Sequence, residues 1–244
     1  MNTVATVEAR VSSSRLPGKV LMPLAGKPAL AHLIERLLQA RTVDEVVLAT
    51  TVNPADNALE DLARRLGVGL YRGSEEDVLD RVLQAAGSVR ADTIVEVTGD
   101  CPLLCPEVID QAVNLYKSGA GDVVSNTWRP SYPQGVDAQV FSRRLLEEAS
   151  RMTRDVAHRE HVSLYFYENP DRYRIHVFEA PPEFRAPDLR FQLDYAEDLQ
   201  FIRAVYAELY PSNPRFGLRD ILDVLGRRPE LKLINAHCVE KPLR

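Results

Sequence analysis

The sequence predicts an α/β protein: a mostly parallel open sheet with helices on both faces, carrying a small α+β inserted lobe. Two observations carry that expectation. Val4-Ala5-Thr6-Val7, Val46-Val47-Leu48-Ala49, Thr93-Ile94-Val95-Glu96-Val97 and Asp122-Val123-Val124 are short and β-branched, which suits strands buried on both faces. Between them, Ala55, Ala58, Leu59, Leu62, Ala63 and Leu66 repeat at three- and four-residue steps, and Val78, Leu79, Val82, Leu83 and Ala86 do the same. Such spacing makes each connection an amphipathic helical crossover. With 244 residues, 45% hydrophobic and 27% charged, the chain can bury one large core.

The remaining elements follow in order. Pro28 starts the first helix, where its missing N–H costs nothing, and Pro106 does the same for the helix holding Val108, Ile109, Ala112 and Val113. From Asn126 to Gly135 the pattern stops, and Trp128, Pro130, Tyr132 and Pro133 mark a long loop or the start of a lobe over about residues 126–190. Beyond it come a helix containing Leu145 and Leu146, a second from about Asp155 to Glu168, and a strand-like Tyr173 to Phe178. After the proline-rich Ala180 to Pro187, Leu189 to Leu193 reads as a returning strand that ends at Asp194. A last helix faces Leu199, Ile202, Val205, Tyr206 and Leu209 to one side.

Charge and composition narrow the function. A net charge of −5 argues against a protein that coats nucleic acid, because phosphate-backbone binders carry a basic excess. No apolar run approaches the roughly 20 residues that span a bilayer, and the amino terminus lacks the basic-then-apolar order of a signal peptide. A cytoplasmic protein with no membrane or nucleic-acid partner is expected. Cys101, Cys105 and Cys238 are odd in number and unevenly spaced, and no histidine lies at zinc-ligand spacing from the first two, so reduced thiols are the plain reading.

The stretch "EARVSSSRLPGK", residues 8–19, leaves the first strand at the carboxyl edge, where open α/β sheets bind ligands. Arg10, Arg15 and Lys19 are candidate phosphate partners. Ser12, Ser13 and Ser14 are small enough for backbone N–H groups to approach an anion and can donate from their hydroxyls. The alternative is a solvated basic turn, since the motif is neither a Walker A loop nor a dinucleotide fingerprint. "TGDCP" puts Asp100 at the same sheet edge. Asp100 and Asp194 would meet on one Mg²⁺ if their strands are neighbours, since that ion needs few protein ligands beside substrate phosphate and water. Against this, Asp194 and Glu197 have capping-box-like spacing, and Asp100 can be a turn former after Gly99.

These residues carry a resemblance. "ARVSSSRLPGKVL" resembles the signature loop of the cytidylyltransferases that activate sugar acids, the group of the 3-deoxy-manno-octulosonate and acylneuraminate enzymes. "VTGDCPLLCPEVID", "YPQGVDAQVFS", "REHVSLYFYENPDRYRI" and "LDYAEDLQFIRAVYAEL" resemble, in order, the SpsF-like branch named for spore coat polysaccharide biosynthesis. The resemblance spans nearly the whole chain. It implies a nucleotide-diphospho-sugar transferase-like fold, a CTP-binding loop that includes Ala9, Mg²⁺-dependent transfer of CMP with release of pyrophosphate, and a homodimer.

It also implies roles. Asp100 and Asp194 would hold Mg²⁺, Arg15 and Lys19 would neutralise the triphosphate, and Arg10 would orient it. Ser74, Asp80 and Arg81 match a segment beside the nucleotide, with favourable charging of a helix start as the alternative. The acceptor site is expected in the lobe, at Gln134, Asp137, Arg159, Glu160 and His161. His158 lies three before His161, and core or solvated histidines are the commoner outcome. Lys27 reads as an ordinary exposed lysine. Where the sugar-acid enzymes commonly carry Glu and Pro, this chain has Cys101 and Ala196, so the acceptor is left open between a nonulosonic or octulosonic acid and a phosphonate. Two rivals differ in class. A glycosyltransferase typically shows an Asp-x-Asp pair where "GDCP" offers one Asp, and a non-catalytic nucleotide sensor has little use for a second metal carboxylate.

Overall fold

The computed structural model describes residues 1–239. Strand β1 (Thr3–Glu8) runs into the serine loop and a single 3-10 turn, Lys19–Leu21. A small antiparallel hairpin, β2 (Pro23–Leu24) and β3 (Lys27–Pro28), then opens into α1 (Ala29–Leu37). Alternation follows with β4 (Glu45–Thr51), α2 (Asn57–Leu66), β5 (Gly69–Gly73), α3 (Val78–Ser88), β6 (Thr93–Thr98) and α4 (Pro106–Lys117). The second half supplies β7 (Val123–Ser125), β8 (Gln139–Ser142), α5 (Arg143–Met152), α6 (Val156–Glu160), α7 (Leu164–Tyr167), β9 (Ile175–Val177), α8 (Ala196–Leu209) and α9 (Leu218–Arg227).

The main sheet has the order β5-β4-β1-β6-β8-β7-β9. β1 lies between β4 and β6 and is parallel to both, while β8 runs antiparallel to its neighbours β6 and β7. Alternate residues of each strand feed two cores. Ala5, Val7, Val95 and Val97 pack with Leu33 and Ile34 of α1, Ile109 of α4 and Ile202 of α8. Val4 and Ile94 pack on the opposite face with Leu79 and Val82 of α3, Leu146 of α5 and Phe166 of α7. Helices therefore cover both faces, as the continuous apolar strands require.

Three expectations differ from the structure in detail. Pro28 belongs to β3 and caps α1 from outside, whereas Pro106 is the first residue of α4. The expected helix from Asp155 to Glu168 is two short helices. Asp155 accepts from the N–H groups of Ala157 and His158 to start α6, and the chain breaks after Glu160 so that Ser163 reaches Glu96. Leu189 to Leu193 is no strand, because its backbone bonds are divided between two separate segments. Gln134 exchanges bonds with Leu189 and Phe191, while the Leu193 N–H donates to the Asp100 carbonyl at 2.8 Å. Gly135, at φ +92°, makes that exchange possible: a Cβ there would lie 2.8 Å from the Gln192 nitrogen.

Candidate active site

The site is assembled where β1 and β6 end side by side. The Gly99 N–H donates to the Glu8 carbonyl at 2.8 Å, and a Cβ on Gly99 would meet both that oxygen and the Ala9 Cβ at 2.8 Å. Only a residue without a side chain lets the two strand ends approach so closely, and that approach sets Asp100 against the serine loop. The loop is pinned from behind by Asp56, which is buried and accepts from the Val11 N–H at 2.7 Å and from Thr51. Within the loop the Val11 carbonyl accepts from Ser13 and Gly18, and Gly18, at φ +72°, turns the chain so that Lys19 begins the 3-10 turn. Asp56 was not singled out from sequence; a lone acid opening a helix reads as a cap.

Lys19 then reaches across the sheet edge. Its Nζ donates to Asp100 Oδ2 and to Asp194 Oδ1, both at 2.7 Å. Arg15 donates to the same Asp194 oxygen at 2.5 Å, and Arg190 donates to Asp194 Oδ2 at 2.7 Å. Asp194 does not cap α8. That task falls to Asp198, whose carboxylate accepts from the N–H groups of Asp194 and Tyr195 at 2.9 and 3.0 Å and also binds Arg190. The Asp194 side chain is thereby released toward the cations. Gln134 fixes Arg190 from the far side at 2.8 Å, and Gln192 donates to Asp100 at 3.2 Å. Arg190 and Gln192 are functional neighbours that sequence reasoning missed; their signal is the polar alternation of "LRFQLD".

The electrostatics follow from burial and pairing. Burial disfavours the charge of Asp100, but the Lys19 ammonium and donors from Lys19, Thr98 and Gln192 outweigh it and hold the carboxyl down at about 2. Burial likewise pulls Lys19 down, and Asp100 and Asp194 more than offset this, leaving it above the ordinary lysine range. Asp100 and Lys19 are thus held in their charged forms beside a loop of three serines.

These groups line one side of an open cleft of about 1370 Å³. Ala9, Arg10, Ser12, Ser13, Ser14, Arg15, Lys19, Arg81, Asp100 and Asp194 line it, as do Gln134, Asp137, Glu160 and His161. Arg10 bonds Glu160 at 3.1 Å and so ties the loop to α6. Ser74, Asp80 and Arg159 are not brought to the lining. Ser74 and Asp80 shape the start of α3, and Arg159 bonds Asp77 and the carbonyls of Ser150 and Thr153. His158 is buried between Thr153 and Glu168, at 2.7 Å from each. Lys27 pairs with Glu35 outside the lining. The cleft floor adds two carboxylates that sequence reasoning left out, Glu8 and Glu96. Their signal was a charge at an inward strand position.

Comparison with known proteins agrees with this geometry. A protein from Bacillus subtilis named for spore coat polysaccharide biosynthesis, SpsF, is 34% identical over 92% of this chain and 94% of its own length. A cytidylyltransferase structure from Leptospira borgpetersenii superposes with a TM-score of 0.88 at 30% identity, covering 95% of this chain and 97% of that one. A CTP complex of CMP:2-keto-3-deoxy-manno-octonic acid synthetase shares the fold at a TM-score of 0.66 and 23% identity, over 85% of this chain and 99% of that one. The family model described as cytidylyltransferase matches residues 4–214. On that span, and with a relative 34% identical over nearly its whole length, the chain belongs to the cytidylyltransferase family and is a nucleotidyltransferase.

Proposed function

We propose that the protein transfers CMP from CTP to a small acidic acceptor, a nonulosonic or octulosonic acid or a phosphonate, with release of pyrophosphate. The observation that carries this reading is the single Lys19 ammonium shared by Asp100 and Asp194 beside the serine loop. Two hard oxygen donors already converge on one cationic position, so the residues fit Mg²⁺. When bound, Mg²⁺ would polarise the phosphate and screen the charge of the leaving pyrophosphate. The chain's own part is positioning and electrostatics. Arg15 and Lys19 lie where they can turn from the carboxylates toward a triphosphate, and Arg10, anchored to Glu160, aligns it. An acceptor oxygen then attacks the α-phosphorus opposite the pyrophosphate, and no dedicated base is required.

The octulosonic acid rests on what the relatives' names say, spore coat polysaccharide biosynthesis for one and 2-keto-3-deoxy-manno-octonic acid for another; the nonulosonic acid and the phosphonate rest on the sequence resemblance. Residues 126–190 are read as the acceptor lobe and as the homodimer contact. Exposed Met152 on that segment supports a protein contact, which sedimentation tests. The need for CTP supports a cytoplasmic setting. Pyrophosphate release from CTP, screened over sugar acids and phosphonates with and without Mg²⁺, tests the assignment. Release that requires both Mg²⁺ and one acceptor class is expected; CTP hydrolysis with no acceptor dependence would contradict it.

A further inference from the structure

The cleft floor has a charge pattern that an acid alone does not match. Glu8 and Glu96 stand on adjacent parallel strands, and the register that pairs Thr6 with Glu96 and Glu8 with Thr98 puts both carboxylates on one face, two residues offset. Glu96 is 5% exposed, and Oε2 of Glu8 is buried with no hydrogen-bond partner. An unmatched carboxylate oxygen in such a place is costly unless a ligand completes it.

The surrounding cations are committed elsewhere. Lys19 and Arg15 bond Asp100 and Asp194, and Arg10 bonds Glu160. Arg81, the cation whose charge acts on Glu8, hydrogen-bonds the carbonyls of Ala49 and Ser74. Glu96 takes one hydroxyl, from Ser163. Beside it, Tyr167 is held by Ser125 and Gln139, and Trp128 stacks on the Tyr167 ring with centroids 4.7 Å apart. The pocket is a polar floor with two acid groups under a flat aromatic wall. Burial and the repulsion of Glu96 push Glu8 well above its ordinary value, and burial lifts Glu96 to about 7, so both groups gain from a cation placed beside them.

We propose that the acceptor is an acid that also carries a free amine, its ammonium on the carboxylates of Glu8 and Glu96. This rests on the cytidylyltransferase reading and narrows the acceptor within it. An acylated or hydroxyl counterpart could donate a hydrogen bond to the Glu8 oxygen but would bring no positive charge to the pair of carboxylates, and that sets the selectivity.

The test uses the full chain saturated with Mg²⁺ and CMP, titrated in a calorimeter with 2-aminoethylphosphonate and, separately, 2-hydroxyethylphosphonate. These probes differ only in the amine. The amine should bind at least about tenfold more tightly, with protons released on binding in paired buffers of different ionisation heat. Glu96→Gln and Glu8→Gln, which keep the side-chain shape, should bring the two probes to near equality. Equal binding by the wild type, a preference for the hydroxyl, or binding of neither probe overturns the proposal. So does an effect of Glu96→Gln confined to CMP affinity, which would assign the carboxylates to the cytosine amino group. Failure to bind CMP or CTP with Mg²⁺ would overturn the cytidylyltransferase reading instead, so the two failures are distinguishable.

Discussion

Asp100 and Asp194, brought to one rim by segments distant in sequence, accept hydrogen bonds at 2.7 Å from the same Lys19 ammonium. In the proposed reaction they hold the metal, so Asp100→Asn should lower kcat by at least about 10²–10³-fold. The fold should survive, because Gln192 and Thr98 can still bond the amide. Turnover within a few-fold of wild type, at any Mg²⁺ concentration, would place the metal elsewhere.

Lys19→Met removes the cation that Asp100 depends on most, while Asp194 keeps Arg15 and Arg190. A partly buried carboxylate left short of its partner costs about 1–3 kcal/mol, so urea unfolding should report a loss of that size. CTP affinity should fall with it. A Lys19→Met protein of unchanged stability would show that the ion pair contributes nothing net.

The pH dependence of stability separates the two carboxylates. Asp100, depressed to about 2 from an ordinary 3.8, contributes stability that is present above the ordinary value and lost as pH falls toward 2. Glu96, raised to about 7 from 4.5, has the opposite sign. The folded state keeps its proton through that window while the unfolded chain releases it, so stability falls as pH rises from 4.5 to 7. Glu96→Gln should therefore gain on the wild type between pH 5 and pH 8 in urea midpoints. Parallel curves would mean that Glu96 is solvated and ionised throughout.

Gly99→Ala drives a methyl group into the Glu8 carbonyl and the Ala9 side chain. Overpacking of this kind costs about 1–3 kcal/mol, and separating the ends of β1 and β6 also moves Asp100 from the loop. The variant should melt lower and lose more activity than its stability loss explains. Normal kinetics in a destabilised protein would show that the close approach serves packing alone.

Much of this was legible in the sequence because the informative residues are local. β-branched runs marked β1, β4, β6 and β7, helical spacing marked α2 and α3, and the end of β1 placed the serine loop with Arg10, Arg15 and Lys19 at the sheet edge, where Asp100 also lies. What stayed hidden depends on long-range pairing. β8 is four residues long and antiparallel, and its place beside β6 is set by pairing with Thr93 to Glu96. Leu189 to Leu193 alternates like a strand, yet its partners are split between Gln134 and Asp100. Whether Asp194 or Asp198 caps α8 depends on Arg190, which competes for both. Glu8 and Glu96 stand at the end of and within apolar runs, where nothing local tells that their carboxylates face the cleft.

The most direct measurement is calorimetric titration of the wild type and Asp194→Asn with CTP and with ATP, each with and without Mg²⁺. Tight binding of CTP that needs Mg²⁺, exceeds that of ATP and is lost in Asp194→Asn is the expected result. Equal binding of both nucleotides, unaffected by Mg²⁺ or by the substitution, would contradict the claim that Lys19, Asp100 and Asp194 form the nucleotide-metal site.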